Sequence, residues 1–122
     1  MGESLNRWQA LRAPKILVSL RVATLRFDFK NQRLKALYTS EKDAHKYPPG
    51  VVDAFFEVMS AIDAARDERD LYVLKGLRYE KLKGRRAEQR SVRLNDQWRL
   101  VIEIEEDAEG RWLLIVSLED YH

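Results

Sequence analysis

The sequence closes on Asp120-Tyr121-His122, a carboxylate, a phenol and an imidazole on three consecutive positions. Shortly upstream lies Arg90-Ser91-Val92-Arg93-Leu94-Asn95-Asp96-Gln97-Trp98-Arg99-Leu100, which is rich in guanidinium groups. Together these residue types can move protons beside a phosphate. Cleavage of RNA by its own 2′-hydroxyl needs a base for that hydroxyl and an acid for the departing 5′-oxygen. It also needs cations for the charge that builds on the phosphorane. Imidazole titrates near neutral pH and can fill either proton-transfer role. A carboxylate can orient it, and a phenol can donate a proton or stack on a base. A guanidinium can grip phosphate through two parallel hydrogen bonds. No metal is required. Each residue also has an ordinary reading: His122 as an idle chain end, Tyr121 as a core anchor, Arg99 as a surface cation paired to Glu103 or Glu119. His45 falls in a loop and is given no role.

These groups act together only if strands carry them. Gln89 to Leu94 alternates, with Val92 and Leu94 on one face and Ser91 and Arg93 on the other. Asn95-Asp96 reads as a two-residue hairpin turn. The returning strand, Gln97 to Glu105, puts Trp98, Leu100, Ile102 and Ile104 toward a core and Arg99, Val101, Glu103 and Glu105 away from it. Residues 105–110 read as a polar turn. Trp112 to Leu118 is apolar on both faces, as an inner strand would be. If alternation persists to the end, Asp120 and His122 share one side and Tyr121 the other. Tyr79 to Leu82 is a further short strand, followed by the basic turn Lys83-Gly84-Arg85-Arg86.

Before these strands, Thr24 to Phe29 alternates Leu25, Phe27 and Phe29 with Arg26 and Asp28. Leu34, Leu37 and Tyr38 then take helical spacing. Tyr47-Pro48-Pro49-Gly50 is a stop and a restart, since proline suits the opening of a helix. Val52, Phe55, Phe56, Met59 and Ile62 follow as one apolar stripe, which is a core face. Residues 66–78 read as a connection that packs partly, through Leu71, Val73 and Leu74. The order predicts an α+β fold of two N-terminal helices on a mostly antiparallel sheet of four to five strands. Residues 1–21 match nothing in this plan and read as an N-terminal extension of unknown role. No internal repeat is visible.

The composition is consistent with this plan. The chain has 122 residues, 45% of them apolar, enough for one domain with a real core. It has no cysteine, which excludes disulfides and thiolate metal sites and permits the cytoplasm. Only His45 and His122 offer imidazole, without metal-ligand spacing, so neither a metal nor a cofactor is expected. No segment reads as membrane-spanning. The run Ile16 to Leu20, ended by Arg21, is too short for an export signal. Net charge is +2, but residues 75–99 hold nine Lys/Arg against three Asp/Glu. Such a segment is a polyanion footprint, or else a solvated face balanced by the acidic stretches on either side.

The run Leu82-Lys83-Gly84-Arg85-Arg86-Ala87-Glu88-Gln89-Arg90-Ser91-Val92-Arg93-Leu94-Asn95-Asp96-Gln97-Trp98-Arg99 resembles the HigB group of RelE-superfamily toxins. That group shows Leu-Lys-Gly-Asp/Asn-Arg-Ala-Gly-Gln-x-Ser-Ile-Arg-x-Asn-Asp-Gln-Trp-Arg and commonly ends in Asp-Tyr-His. Tyr47-Pro48-Pro49-Gly50 before a helix is also similar. The likeness covers residues 22–122.

The resemblance implies a RelE-like fold and a type II toxin, a cytoplasmic ribosome-dependent mRNA interferase. It implies neutralisation by a HigA-like helix-turn-helix antitoxin, with operator DNA engaged only through that antitoxin and no membrane involved. By position it implies catalytic roles for Lys83, Arg99, Asp120, Tyr121 and His122. Some members carry a histidine where this chain has Glu80, which makes Glu80 the alternative base to His122. Lys81, Arg85, Arg86, Arg90 and Arg93 are the expected RNA-binding cations. Two other readings share the fold: a non-catalytic gyrase poison, and an RNA- or ribosome-binding regulator.

Overall fold

The computed structural model describes residues 24–86 and 88–121, apart from the side chain of Arg85. The N-terminal extension with its boundary, the Arg85 side chain and His122 therefore lie outside the described residues. The first strand, β1, is Phe27–Phe29. Helix α1, Gln32–Ser40, starts where the Asn31 side chain accepts hydrogen bonds from the N–H groups of Arg33 and Leu34, at 3.0 and 3.1 Å. These satisfy two donors that the first helical turn leaves without partners. α1 buries Leu34, Leu37 and Tyr38, the spacing read from sequence.

Helix α2, Val51–Ala64, begins directly after Gly50, whose φ of +81° few residues but glycine tolerate. Its buried stripe is Val51, Phe55, Phe56, Val58, Met59 and Ile62. Val52, expected in that stripe, is only partly buried. The stripe centres on positions 51, 55, 58 and 62, and one further residue turns about 100° round the helix, onto its flank.

A third helix, α3, spans Glu68–Val73 where sequence suggested only a connection. It has a single apolar anchor, Leu71, and so no periodic pattern. The Asp67 side chain caps it by accepting from Arg69 N–H. Val73 and Leu74, expected to pack partly, stand exposed beside Tyr72.

The remaining strands are β2 (Glu80–Lys81), β3 (Gln89–Arg93), β4 (Trp98–Asp107) and β5 (Gly110–Asp120). They form one sheet with β1 in the order β1-β5-β4-β3-β2. β1 runs parallel to β5, and every other pair is antiparallel. β5 is the inner strand expected. The β4–β5 hairpin is tighter than the expected 105–110 turn, because Asp107 already pairs with Gly110. The β3–β4 turn is longer than two residues. Leu94 N–H donates to the Trp98 carbonyl, and the Asn95 side chain accepts from Gln97 and Trp98 N–H, which enlarges the loop to Asn95-Asp96-Gln97.

Val92, Leu94, Leu100, Ile102, Leu113 and Ile115 line the sheet face that packs on the helices. In β5 the register breaks: Ile102 pairs with Ile115 but Val101 pairs with Ser117, so Val116 is an extra residue. Such a bulge reverses the alternation beyond it. Leu113 and Ile115 point into the core before the bulge, and Leu118 packs against the core after it.

Candidate functional site

Strand pairing decides which side chains meet. Arg93 faces Arg99 across β3 and β4, and Arg99 faces Glu119 across β4 and β5. Glu80 of β2 stands across from Ser91. Alternation places Glu80, Ser91, Arg93, Arg99 and Glu119 on the sheet face away from the helices. Because of the bulge at Val116, Tyr121 shares that face with Glu119. Its backbone N–H donates to the Gln97 carbonyl at 2.8 Å, so the ladder continues past β5. The Arg99 guanidinium lies over the Tyr121 ring, 5.4 Å from its centroid. That contact is worth about 0.5–1 kcal/mol at an exposed position.

Arg99 is held by neutral groups. Its Nη1 donates to Ser91 Oγ at 3.3 Å and to the Arg78 carbonyl at 3.4 Å. Ser91 is a buried polar residue, and Arg78 adopts the left-handed conformation, φ 47°. A side-chain residue held there costs about 1–2 kcal/mol.

Neither suspected carboxylate takes Arg99. Glu119, directly across, is gripped by Arg86 through two bonds of 2.8 and 3.1 Å. Glu103 accepts from Gln89 Nε2 at 2.8 Å. Arg99 thus has no carboxylate partner among the described residues, and its Nε and Nη2 have no hydrogen-bond partner there. That edge is the one a guanidinium uses to grip phosphate bidentately.

The other expected residues divide. Arg86 lies on this face, committed to Glu119, which raises its already high pKa. Arg93 pairs with Asp96 in the adjoining turn. Two guanidiniums directly across a ladder repel each other, and Asp96 offsets part of that cost. Glu80 and Lys83 are exposed, and neither has an ion pair among the described residues. Asp120 stands across from Trp98, on the opposite side from Tyr121, and accepts from Gln97 Nε2 at 2.9 Å.

Lys81 stands across from Arg90, so alternation turns both toward the helix side. Lys81 remains exposed there, at the sheet edge. Arg90 is 7% exposed, with its Nε 2.9 Å from Glu68 Oε2. Arg111 approaches the other oxygen of Glu68 at 3.2 Å, and the Tyr79 hydroxyl donates to Oε2 at 2.8 Å. Burial, reinforced by the Glu68 charge, pushes the Tyr79 phenol well above its ordinary pKa. Arg90 thus ties α3 to the sheet through a largely buried ion pair.

Sequence reasoning missed Ser91 and Arg78 as supports and Glu119 as the partner of Arg86. Strand alternation had put Ser91 on the face of Arg93, a signal that was available. Nothing in the sequence marks the Arg78 carbonyl. No described helix is long and apolar enough to cross a membrane. Among the described residues, no three His, Cys, Asp or Glu side chains lie where they could hold a metal ion.

Residues 27–117 match the family model described as the RelE-like toxin of the type II toxin-antitoxin system HigB. The chain is 32% identical over 94 residues to Toxin HigB-1 of Vibrio cholerae serotype O1, covering 77% of this chain and 90% of that protein. Among solved structures it is similar to a YoeB/ParE toxin from Agrobacterium tumefaciens. That match has 14% identity and a TM-score of 0.48, covering 80% of this chain and 100% of the other.

Proposed function

Because the chain belongs to the HigB family of RelE-like toxins of type II toxin-antitoxin systems, we propose that it is an endoribonuclease that cuts mRNA on the ribosome. Its activity is held in check by an antitoxin, which we infer to be a HigA-like helix-turn-helix protein. It acts in the cytoplasm, where ribosomes are. The observation that supports the nuclease reading best is the state of Arg99. It is fixed by a hydroxyl, a carbonyl and an aromatic ring, and it is neutralised by no described carboxylate. A positioned charge in place before the reaction stabilises a developing phosphorane without reorganisation.

In this mechanism the ribose 2′-hydroxyl attacks the adjacent phosphorus and the bond to the 5′-oxygen breaks. The products are a 2′,3′-cyclic phosphate and a 5′-hydroxyl. Glu80 or His122 accepts the 2′ proton, and Tyr121 or His122 protonates the leaving oxygen. Arg99 and Lys83 carry the phosphorane charge, Arg93 and Arg85 guide the RNA strand, and Asp120 acts from the strand end. No step calls on a metal or a cofactor.

Primer extension on a translated mRNA tests the reading. The wild-type protein gives new 5′ ends inside codons, and Arg99→Ala reduces them by at least tenfold while the protein still folds. Ribosome binding without new ends would point to a protein that acts by binding alone. DNA breaks would point to gyrase.

A further inference from the structure

We propose that Arg86 is a positioning residue, which holds Glu119 so that this carboxylate cannot neutralise Arg99. The inference rests on the reading that Arg99 grips RNA phosphate. Glu119 is the cross-strand partner of Arg99, and such partners have Cβ atoms about 4.5–5.5 Å apart. An arginine and a glutamate at that separation ordinarily pair. Here both oxygens of Glu119 are already occupied. Oε1 accepts from Arg86 Nη1, and Oε2 accepts from Arg86 Nη2 and, at 3.3 Å, from Ser117 Oγ. Arg86 is fixed in turn, because its Nε donates to Gln89 Oε1 at 2.7 Å and Gln89 is tied to Glu103. A chain of four side chains thus runs along the face from Glu103 to Glu119 and ends by withdrawing one carboxylate from Arg99. Arg99 turns instead to Ser91 and the Arg78 carbonyl, neither of which carries a negative charge.

Arg86 is also a cation on the proposed RNA face, so a direct phosphate contact is the competing account. The two accounts separate in a mutant cycle. Arg86→Ala frees Glu119 to pair with Arg99, and mRNA cleavage and affinity for a short single-stranded RNA fall. The loss is roughly two- to fivefold, the scale of a partly exposed ion pair. Adding Glu119→Gln removes the freed carboxylate and restores both. In an Arg99→Ala background, Arg86→Ala costs nothing further, because the charge it protected is gone. A double variant that stays as weak as Arg86→Ala would overturn the proposal. So would an Arg86→Ala loss of the same size without Arg99, which would mean that the cation acts on RNA directly or through the general field.

The guanidinium N–H signals of Arg99, followed by NMR in the free protein, decide the positioning independently of any nuclease activity. They shift on Arg86→Ala, as a charged acceptor replaces neutral ones, and return on adding Glu119→Gln. Arg99 signals unmoved by Arg86→Ala would end the proposal even if the protein cleaves mRNA. Shifted signals without cleavage by the wild type would sink the nuclease reading alone.

Discussion

Replacing Arg90 by alanine separates a structural cation from an RNA-binding one. Sequence put Arg90 in the basic footprint, yet its side chain is 8% exposed and that of Glu68 15%. Removing one member of a buried ion pair typically costs about 3–5 kcal/mol, because the other charge is left without compensation. Glu68 here keeps Arg111 at 3.2 Å and the Tyr79 hydroxyl at 2.8 Å, and Arg111 is half exposed. The cost should therefore fall below that range, at about 2–3 kcal/mol. For a domain of this size, 1 kcal/mol moves Tm by roughly 4–8 °C. Arg90→Ala should accordingly melt roughly 8–24 °C below wild type, by the same arithmetic. Below that melting point, its RNA affinity and the salt dependence of binding should match wild type. The triple replacement Arg90→Met, Glu68→Leu and Tyr79→Phe should recover much of the loss, since it leaves neither a buried charge nor an unpaired buried hydroxyl behind. Differential scanning calorimetry and RNA titrations at two ionic strengths read both quantities. A variant that melts like wild type but binds RNA more weakly, with a flatter salt dependence, would refute the structural assignment and return Arg90 to the RNA face.

Three further outcomes follow from the same geometry. The Tyr79 phenol has a folded pKa raised above its ordinary 10.0, so its contribution to stability is fully present below pH 10 and declines as pH rises beyond it. Alkaline melting curves should show that decline, and Tyr79→Phe should lose it while costing about 1.5–3 kcal/mol at neutral pH for the hydrogen bond to a charged acceptor. Glu80→Gln should abolish cleavage with ribosome binding intact if Glu80 takes the 2′ proton; full activity in that variant would remove it from the mechanism. Tyr121→Phe keeps the ring under Arg99 and deletes only the proton, whereas removing His122 deletes the imidazole with little apolar surface. Whichever group protonates the leaving oxygen should cost roughly 10²–10⁴-fold in cleavage rate when lost, at unchanged Tm, and wild-type growth arrest by both variants would exclude the pair.

Much of the fold is legible in the residues because burial leaves a period. Leu34, Leu37 and Tyr38 mark α1, Phe55, Phe56, Met59 and Ile62 mark α2, and Val92 with Leu100 and Ile102 mark the inward face of the hairpin. α3 escaped because one buried residue, Leu71, makes no period, and its hold on the sheet is an ion pair between Glu68 and Arg90, 22 residues apart. The β3–β4 loop was read as too short because Asn95 was taken as a turn residue alone, whereas its side chain accepts two backbone hydrogen bonds and so supports a longer loop.

For the site, the sequence by itself determined the residue types and their alternation: Arg93 and Arg99 on the outer face, Ser91 beside them, and Asp120 opposed to Tyr121. It could not determine on which face Tyr121 lies. Trp112 to Leu118 is apolar on both sides, so hydrophobic pattern does not fix its parity. The bulge at Val116 decides it, by exchanging inward and outward positions between Ile115 and Ser117. The tertiary structure also decided which cations are available. Charge counts treat Arg86, Arg90, Arg93 and Arg99 alike, but Coulomb attraction depends on distance and burial. Packing commits Arg90 to Glu68, Arg86 to Glu119 and Arg93 to Asp96, and among the described residues leaves Arg99 with neutral partners only.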